Sequence, residues 1–144
     1  MSIELVEIPG IEAQYQTKWK VRALVVVGRD PVREALIRWQ KHYPDDYKAI
    51  MKAMRIAAQK YRVYNQKLVK KSTDSSHGNA YEFIAYTNIA RLMFFYDEGD
   101  ESLIVCTNEF EKSRGDQSAA FLLCTQLREL YFNTKTTTEN ENDE

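Results

Sequence analysis

The chain has 144 residues, a formal net charge of −1 and 44% hydrophobic residues, among them two Trp, six Phe and nine Tyr, enough apolar surface for one domain with one core. Its two cysteines, Cys106 and Cys124, sit among apolar neighbours, which predicts buried free thiols in a reducing compartment. No Cys/His spacing matches a metal site and no glycine-rich nucleotide loop or G-x-S-x-G elbow is present, so neither metal nor cofactor is expected.

Residues 1–18 alternate weakly and contain Pro9-Gly10, which predicts an extended arm able to form an edge strand. Met1-Ser2-Ile3-Glu4-Leu5 offers neither the basic start nor the apolar run of a signal peptide. No segment approaches the roughly 20 apolar residues of a membrane span, and a cytoplasmic location is expected. From Trp19 to Gly28, WKVRALVVVG alternates Lys20, Arg22, Leu24 and Val26 with Val21, Ala23, Val25 and Val27, the pattern of a strand apolar on both faces at its far end.

Asp30-Pro31 is a helix-start signal, a capping carboxylate followed by a residue that needs no amide donor. Val32, Ala35, Leu36 and Trp39 follow at helical spacing. After a break at His42-Tyr43-Pro44, a second helix carries Tyr47, Ile50, Met51, Met54, Ala58 and Tyr61 on its apolar side, so the two helices should form a hairpin. Lys48, Lys52, Arg55 and Arg62 make a positive stripe on the other side, either a solvated face or a surface for phosphates or an acidic partner. Residues 1–72 hold 15 Lys and Arg against 7 Asp and Glu, and residues 73–144 hold 5 against 14, so +8 faces −9 across the chain.

Lys70–Asn79 is rich in turn formers and predicts an exposed loop. Three strands are expected next, Tyr81–Tyr86, Ile89–Tyr96 and Leu103–Phe110, joined by Thr87-Asn88 and by a hairpin loop at Asp97–Asp100 in which Gly99 supplies positive φ. A last helix begins after Arg114-Gly115-Asp116, with Ala120, Leu123, Cys124, Leu127, Leu130 and Tyr131 on its apolar side. Residues 133–144 hold no apolar side chain and are expected to form a disordered acidic tail. The expected unit is thus an α+β domain over 19–132, of order βααβββα, its antiparallel meander packed by the hairpin and the C-terminal helix.

Arg91 is a guanidinium inside an otherwise apolar strand, Ile89–Tyr96, and needs either a partner, for which Glu82 on the adjacent strand is the obvious choice, or a ligand. Lys112 and Arg114 lie close by in sequence at the end of the third meander strand, near Glu109 and Glu111. Tyr81-Glu82-Phe83, Arg91-Leu92-Met93-Phe94-Phe95-Tyr96-Asp97-Glu98-Gly99 and Phe110-Glu111-Lys112, in this element order, resemble the RelE/ParE toxin superfamily and its phage-derived HigB-like branch.

The resemblance implies a RelE-like fold and a toxin of a toxin-antitoxin pair, a metal-independent endoribonuclease acting on mRNA at the ribosome, partnered by an antitoxin such as a helix-turn-helix protein. It implies Arg91 and Lys112 as phosphate stabilisers, with Tyr131 and His77 joining them by position. Lys48, Lys52, Arg55, Arg62 and Arg114 would then contact RNA. Three positions depart from the family pattern: Ile84 replaces an arginine, Ser113 a lysine and Glu109 a glycine. They favour the alternative of a non-catalytic RelE-fold interaction protein that binds a protein partner.

Overall fold

The computed structural model describes residues 2–11, 17–74, 76, 78–86, 88–99, 101–113 and 115–142, with side chains described to residue 136. Two strands, β1 (Ile3–Glu7) and β2 (Lys20–Val26), precede the helices α1 (Pro31–His42) and α2 (Pro44–Gln59). Four strands follow, β3 (Val69–Lys71), β4 (Tyr81–Ile84), β5 (Ala90–Asp97) and β6 (Leu103–Glu111), and then α3 (Gln117–Asn142). They build one six-stranded mixed sheet in the order β1-β2-β6-β5-β4-β3. The pair β2 and β6 is parallel and the remaining pairs are antiparallel.

The expected order gains a strand at each edge. The arm contributes β1, paired with β2 from Ile3↔Val26 to Glu7↔Arg22, which makes β2 an internal strand. Lys70 and Lys71, expected in a loop, pair with β4 instead. The meander β4-β5-β6 forms as predicted, with a bulge at Thr107 where Met93 faces Asn108 but Phe94 faces Cys106.

Side-chain alternation sorts the core into two layers. Val21, Ala23, Phe83, Leu92, Phe94, Ile104 and Cys106 pack under α1 and α2, which contribute Val32, Ala35, Trp39, Ile50, Met54 and Ala58. Leu24, Met93, Phe95, Leu103, Val105 and Phe110 face the opposite way, toward Phe121, Cys124 and Tyr131 of α3. Helix α1 starts as its sequence dictates, with Pro31 in the first turn and the Asp30 carboxylate accepting from the Arg33 amide at 2.9 Å. Both thiols are buried and free; burial pushes Cys106 far above its usual pKa and Cys124 to about 11, so neither ionises at neutral pH.

Two local expectations change. The segment from residue 133 onward, expected to lack order, continues α3 as far as Asn142. A helix already nucleated on an apolar segment extends at little cost, and Lys135 anchors the extension by pairing with Asp97 at 3.1 Å. Gly99 is not in the left-handed region; its need is for space, because a Cβ there would lie 3.1 Å from Asp97 Oδ1 and 3.3 Å from Lys135 Nζ.

Candidate functional site

The register of β5 places Arg91 opposite Ile84 and Phe110, on the α3 side of the sheet. Its side chain is almost fully buried, and it does not pair with Glu82. Nη1 donates to the carbonyls of Ala90 (2.9 Å), Asn88 (3.1 Å) and Ala85 (3.3 Å), gathering the turn between β4 and β5 around one cation. From the other face the buried Asp46 carboxylate closes the same turn, accepting from the amides of Ile89 (3.0 Å) and Ala90 (2.9 Å). Burial lowers the Arg91 pKa, and the nearby charges of Glu82 and Asp46 offset part of that.

Glu82 finds its partner on α3: Gln117 Nε2 donates to its two oxygens at 2.8 and 2.7 Å. Burial still pushes the Glu82 carboxyl above the usual range, against the pull of Gln117, Arg91, Lys70 and Lys112. Lys112 is exposed, and its amide donates to Ile89 O at 2.9 Å, so its backbone lies at the Arg91 end of the sheet. Glu109 and Glu111 project to the other face, where Arg38 of α1 engages them at 3.2 and 2.8 Å. They do not weaken the field around Arg91 from within its own side of the sheet, as their place in the sequence suggested.

Tyr131 belongs to the opposite end of β5. Its hydroxyl donates to Asp97 Oδ2 at 2.6 Å, and Asp97 also accepts from the Gly99 amide and Lys135. Burial and the Asp97 charge push the phenol well above its ordinary pKa, which keeps the proton on Tyr131. Burial acts to raise the Asp97 pKa as well, but Tyr131, Gly99 and Lys135 together hold it below the carboxylate norm. Arg91 and Asp97 bound a stretch of β5 that spans about 20 Å at a rise of about 3.3 Å per residue. Arg91 and Lys112 therefore share one end, and Tyr131 is not with them. His77 and Arg114 lie outside the described residues.

The helical stripe divides as well. Lys48 and Lys52 are exposed and Arg55 half-buried on α2, but α2 ends at Gln59 and Arg62 leaves its line. The Arg62 guanidinium packs on three rings, 3.9 Å from the centroid of Tyr96, 4.5 Å from Tyr61 and 5.4 Å from Trp19, and pairs with Glu98. Burial opposes its charge, yet Glu98 more than compensates and its pKa rises.

A larger basic surface runs on from the stripe. Between Asp46 and Asp74 the chain holds eight Lys and Arg and no acidic residue, an uninterrupted basic run over α2, the segment after it and the edge strand β3. Tyrosines alternate with these cations: Tyr64 is 86% exposed, Tyr61 53% and Tyr86 55%. Lys67 Nζ stands 5.0 Å from the Tyr86 ring centroid and Lys71 Nζ 5.8 Å from that of Tyr81. Arg62, Tyr64, Lys70, Lys71 and Tyr81 line a groove of about 720 Å³. Helical periodicity could not single out Tyr64, Lys67, Lys70 and Lys71, because they lie beyond the helix; the run Lys60-Tyr61-Arg62-Val63-Tyr64 carried the signal as a composition.

No helix among the described residues is long and apolar enough to cross a membrane, and among them no cluster of His, Cys, Asp or Glu fits a metal ion. Comparison of the chain with family models, curated proteins and solved structures finds no match.

Proposed function

We propose that the protein is a RelE-like scaffold that binds single-stranded RNA and does not cleave it. The observation that carries this reading is the surface of exposed tyrosines among cations, centred on Tyr64, Lys70 and Lys71. Bases of any sequence stack on aromatic faces, and Lys and Arg neutralise the phosphates between them, so the alternation suits a flexible strand. The exposed cations Lys48 and Lys52, with Arg55, extend the positive field along α2.

The absence of cleavage in this reading is supported by the separation, among the described residues, of Arg91 and Lys112 from Tyr131. In-line attack by a 2′-hydroxyl needs a cation on the developing phosphorane and proton-transfer groups within hydrogen-bond reach. Arg91 Nη1 is shared among three turn carbonyls, and Tyr131 is held protonated by Asp97 at the other end of β5. With Ile84 and Ser113 in place of cations, Lys112 stands without a matched partner.

Fluorescence anisotropy with a labelled single-stranded RNA tests the binding. Affinity should fall steeply with salt; Tyr64→Ala should weaken it about tenfold, the low end of one lost stacking contact. Lys70→Glu with Lys71→Glu should weaken it further and reduce the log–log salt slope by about 1.4, and Lys52→Glu with Arg55→Glu should act in the same direction. The RNA should emerge intact. Cleavage abolished by Lys112→Ala would restore the toxin reading, and RNA binding indifferent to all of these changes would refute the proposed surface. Absence of RNA binding would favour an acidic protein partner.

A further inference from the structure

The two edges of the sheet are built differently. Strand β3 is three residues long and two of them, Lys70 and Lys71, are charged, a common guard of an edge against pairing with another strand. Strand β1, at the opposite edge, has five residues, Ile3-Glu4-Leu5-Val6-Glu7, with no lysine, proline or bulge. Leu5 and Val6 are 36% and 38% exposed, although the buried Ile8 and Ile11 fix the arm in place. The strand is therefore preformed while its apolar side chains stand partly in water.

Pairing with β2 fixes which backbone groups of β1 are spent. The Val27 amide donates to Ser2 O at 2.8 Å, so the hydrogen-bonded pairs that follow in this antiparallel ladder are Glu4 with Val25 and Val6 with Ala23. Ile3, Leu5 and Glu7 turn their amides and carbonyls outward, where no described residue meets them. Leu5 lies on the α3 side of the sheet beside Leu24. Val6 lies on the α1 side beside Ala23, where it lines a groove of about 460 Å³ together with Leu36 and Ile37.

We propose that β1 pairs with β1 of a second copy of this chain, antiparallel about a two-fold axis at Leu5, joining two sheets edge to edge. Of the two-fold registers, the one centred on Leu5 engages the outward groups of Ile3, Leu5 and Glu7 together. It sets Leu5 against Leu5, Ile3 against Glu7 and Glu4 against Val6, so no carboxylate stands directly opposite another; centring on Glu4 would set Glu4 against Glu4. Glu7 already faces Arg22 of its own β2. Glu4 of the second copy, opposite Val6, comes to the face where the groove carries Arg33 and Asp30, the latter spent on capping the Arg33 amide. A foreign strand would have to match this pattern, whereas a second copy carries it. The β3 edges, with the cation and tyrosine surface, stay free at the two ends of the joined sheet.

Sedimentation velocity of the full chain over a concentration series tests the pairing, together with amide hydrogen exchange read residue by residue. Mass should rise from monomer to dimer with concentration. The amides of Ile3, Leu5 and Glu7 should gain protection in step, while those of Glu4 and Val6 are protected at every concentration. Leu5→Lys sets two ammonium groups against each other at the axis and should weaken dimerisation about tenfold or more, in a protein that still unfolds cooperatively. Should that variant not fold, Leu5→Cys decides. Mild oxidation should link it into a disulfide dimer faster than Leu122→Cys, a position 44% exposed on α3, since both native thiols are buried.

A monomer at every concentration, a dimer that Leu5→Lys leaves intact, or Leu5→Cys linking no faster than Leu122→Cys would overturn the proposal. So would protection of Ile3, Leu5 and Glu7 that persists on dilution, which would assign the edge to a segment of the same chain. Tyr64→Ala, which tests the RNA surface, should leave dimerisation unchanged, so the two readings fail separately.

Discussion

The two ends of β5 use similar side chains and reach opposite conditions. At the Arg91 end, one guanidinium and one carboxylate, Asp46, meet three carbonyls and two amides of the turn between β4 and β5. At the Asp97 end the carboxylate is equally well served, but Tyr96 and Arg128 are left with donors that nothing among the described residues accepts. A buried polar group with its partners at hand is explained by the fold that holds it, whereas one without them is a cost to stability. The residue type does not separate these cases; the census of partners does.

The largest effect should come from the closed end. Arg91→Ala strips a partner from three turn carbonyls and removes the largest compensating charge acting on Glu82, which should cost about 3 kcal/mol or more and lower the Tm by roughly 10 °C. Arg91→Lys should recover part of the loss. Thermal denaturation of both variants checks this, and an Arg91→Ala protein that melts like the wild type would break the contrast by freeing Arg91 for a ligand. The open end predicts the reverse, a Tyr96→Phe protein at least as stable as its parent.

An intermediate effect with a defined pH dependence belongs to Asp97. Its folded pKa is held below the unfolded value near 3.8, so its contribution is fully present above that value and disappears as pH falls through the folded pKa. Asp97→Asn should cost about 1 to 2 kcal/mol at pH 7, with the difference from wild type shrinking below pH 4. Urea denaturation across that window is the measurement, and a difference independent of pH would show that Asp97 acts only through neutral hydrogen bonding.

Much of this architecture was legible one segment at a time. The Asp30-Pro31 start, the break at Pro44, the two-faced apolar run of β2 and the meander all rest on short-range rules, and they stand where the residues put them. Strand β3 was not legible because its three residues carry no period and two of them, Lys70 and Lys71, open a run of turn formers; pairing with β4 creates it. The extent of α3 depends on Lys135 reaching Asp97, a contact between positions far apart in the chain.

The site was less legible, for the same physical reason. Arg91 was conspicuous as a charge in an apolar strand, but its partners are carbonyls, and a carbonyl is present at every position of any sequence. Glu82, the expected counter-ion, turned out to serve Gln117 of a helix that starts 35 residues later. The family resemblance groups Tyr131 with Arg91, and only the strand register separates them. Tyr96 looked like one more core aromatic; nothing in its neighbours reveals that its hydroxyl lacks a partner.

Glu82 gives the smallest effect and the one of opposite sign. It lies on the same face of the sheet as Asp97, yet burial raises its pKa above the ordinary value of 4.5 despite Gln117 and the nearby cations. A raised folded pKa means that the protonated form is the one the fold prefers, so this group's contribution is fully present below the unfolded pKa and is lost as pH rises through the folded one. Glu82→Gln keeps the shape and cannot ionise, and a rotated Gln117 amide can still pair with it. The variant should therefore lose the stability decrement that wild type acquires above about pH 4.5 and be slightly more stable than wild type at pH 7. Paired urea titrations of wild type, Glu82→Gln and Asp97→Asn should show two pH-dependent differences running in opposite directions. A Glu82→Gln protein clearly less stable than wild type at pH 7 would mean that the ionised carboxylate is favoured where it sits, through an attraction to Arg91 strong enough to outweigh its burial. Arg91 would then be holding Glu82 as well as the turn, and the closed end of β5 would be a charge cluster instead of a cation spent on carbonyls.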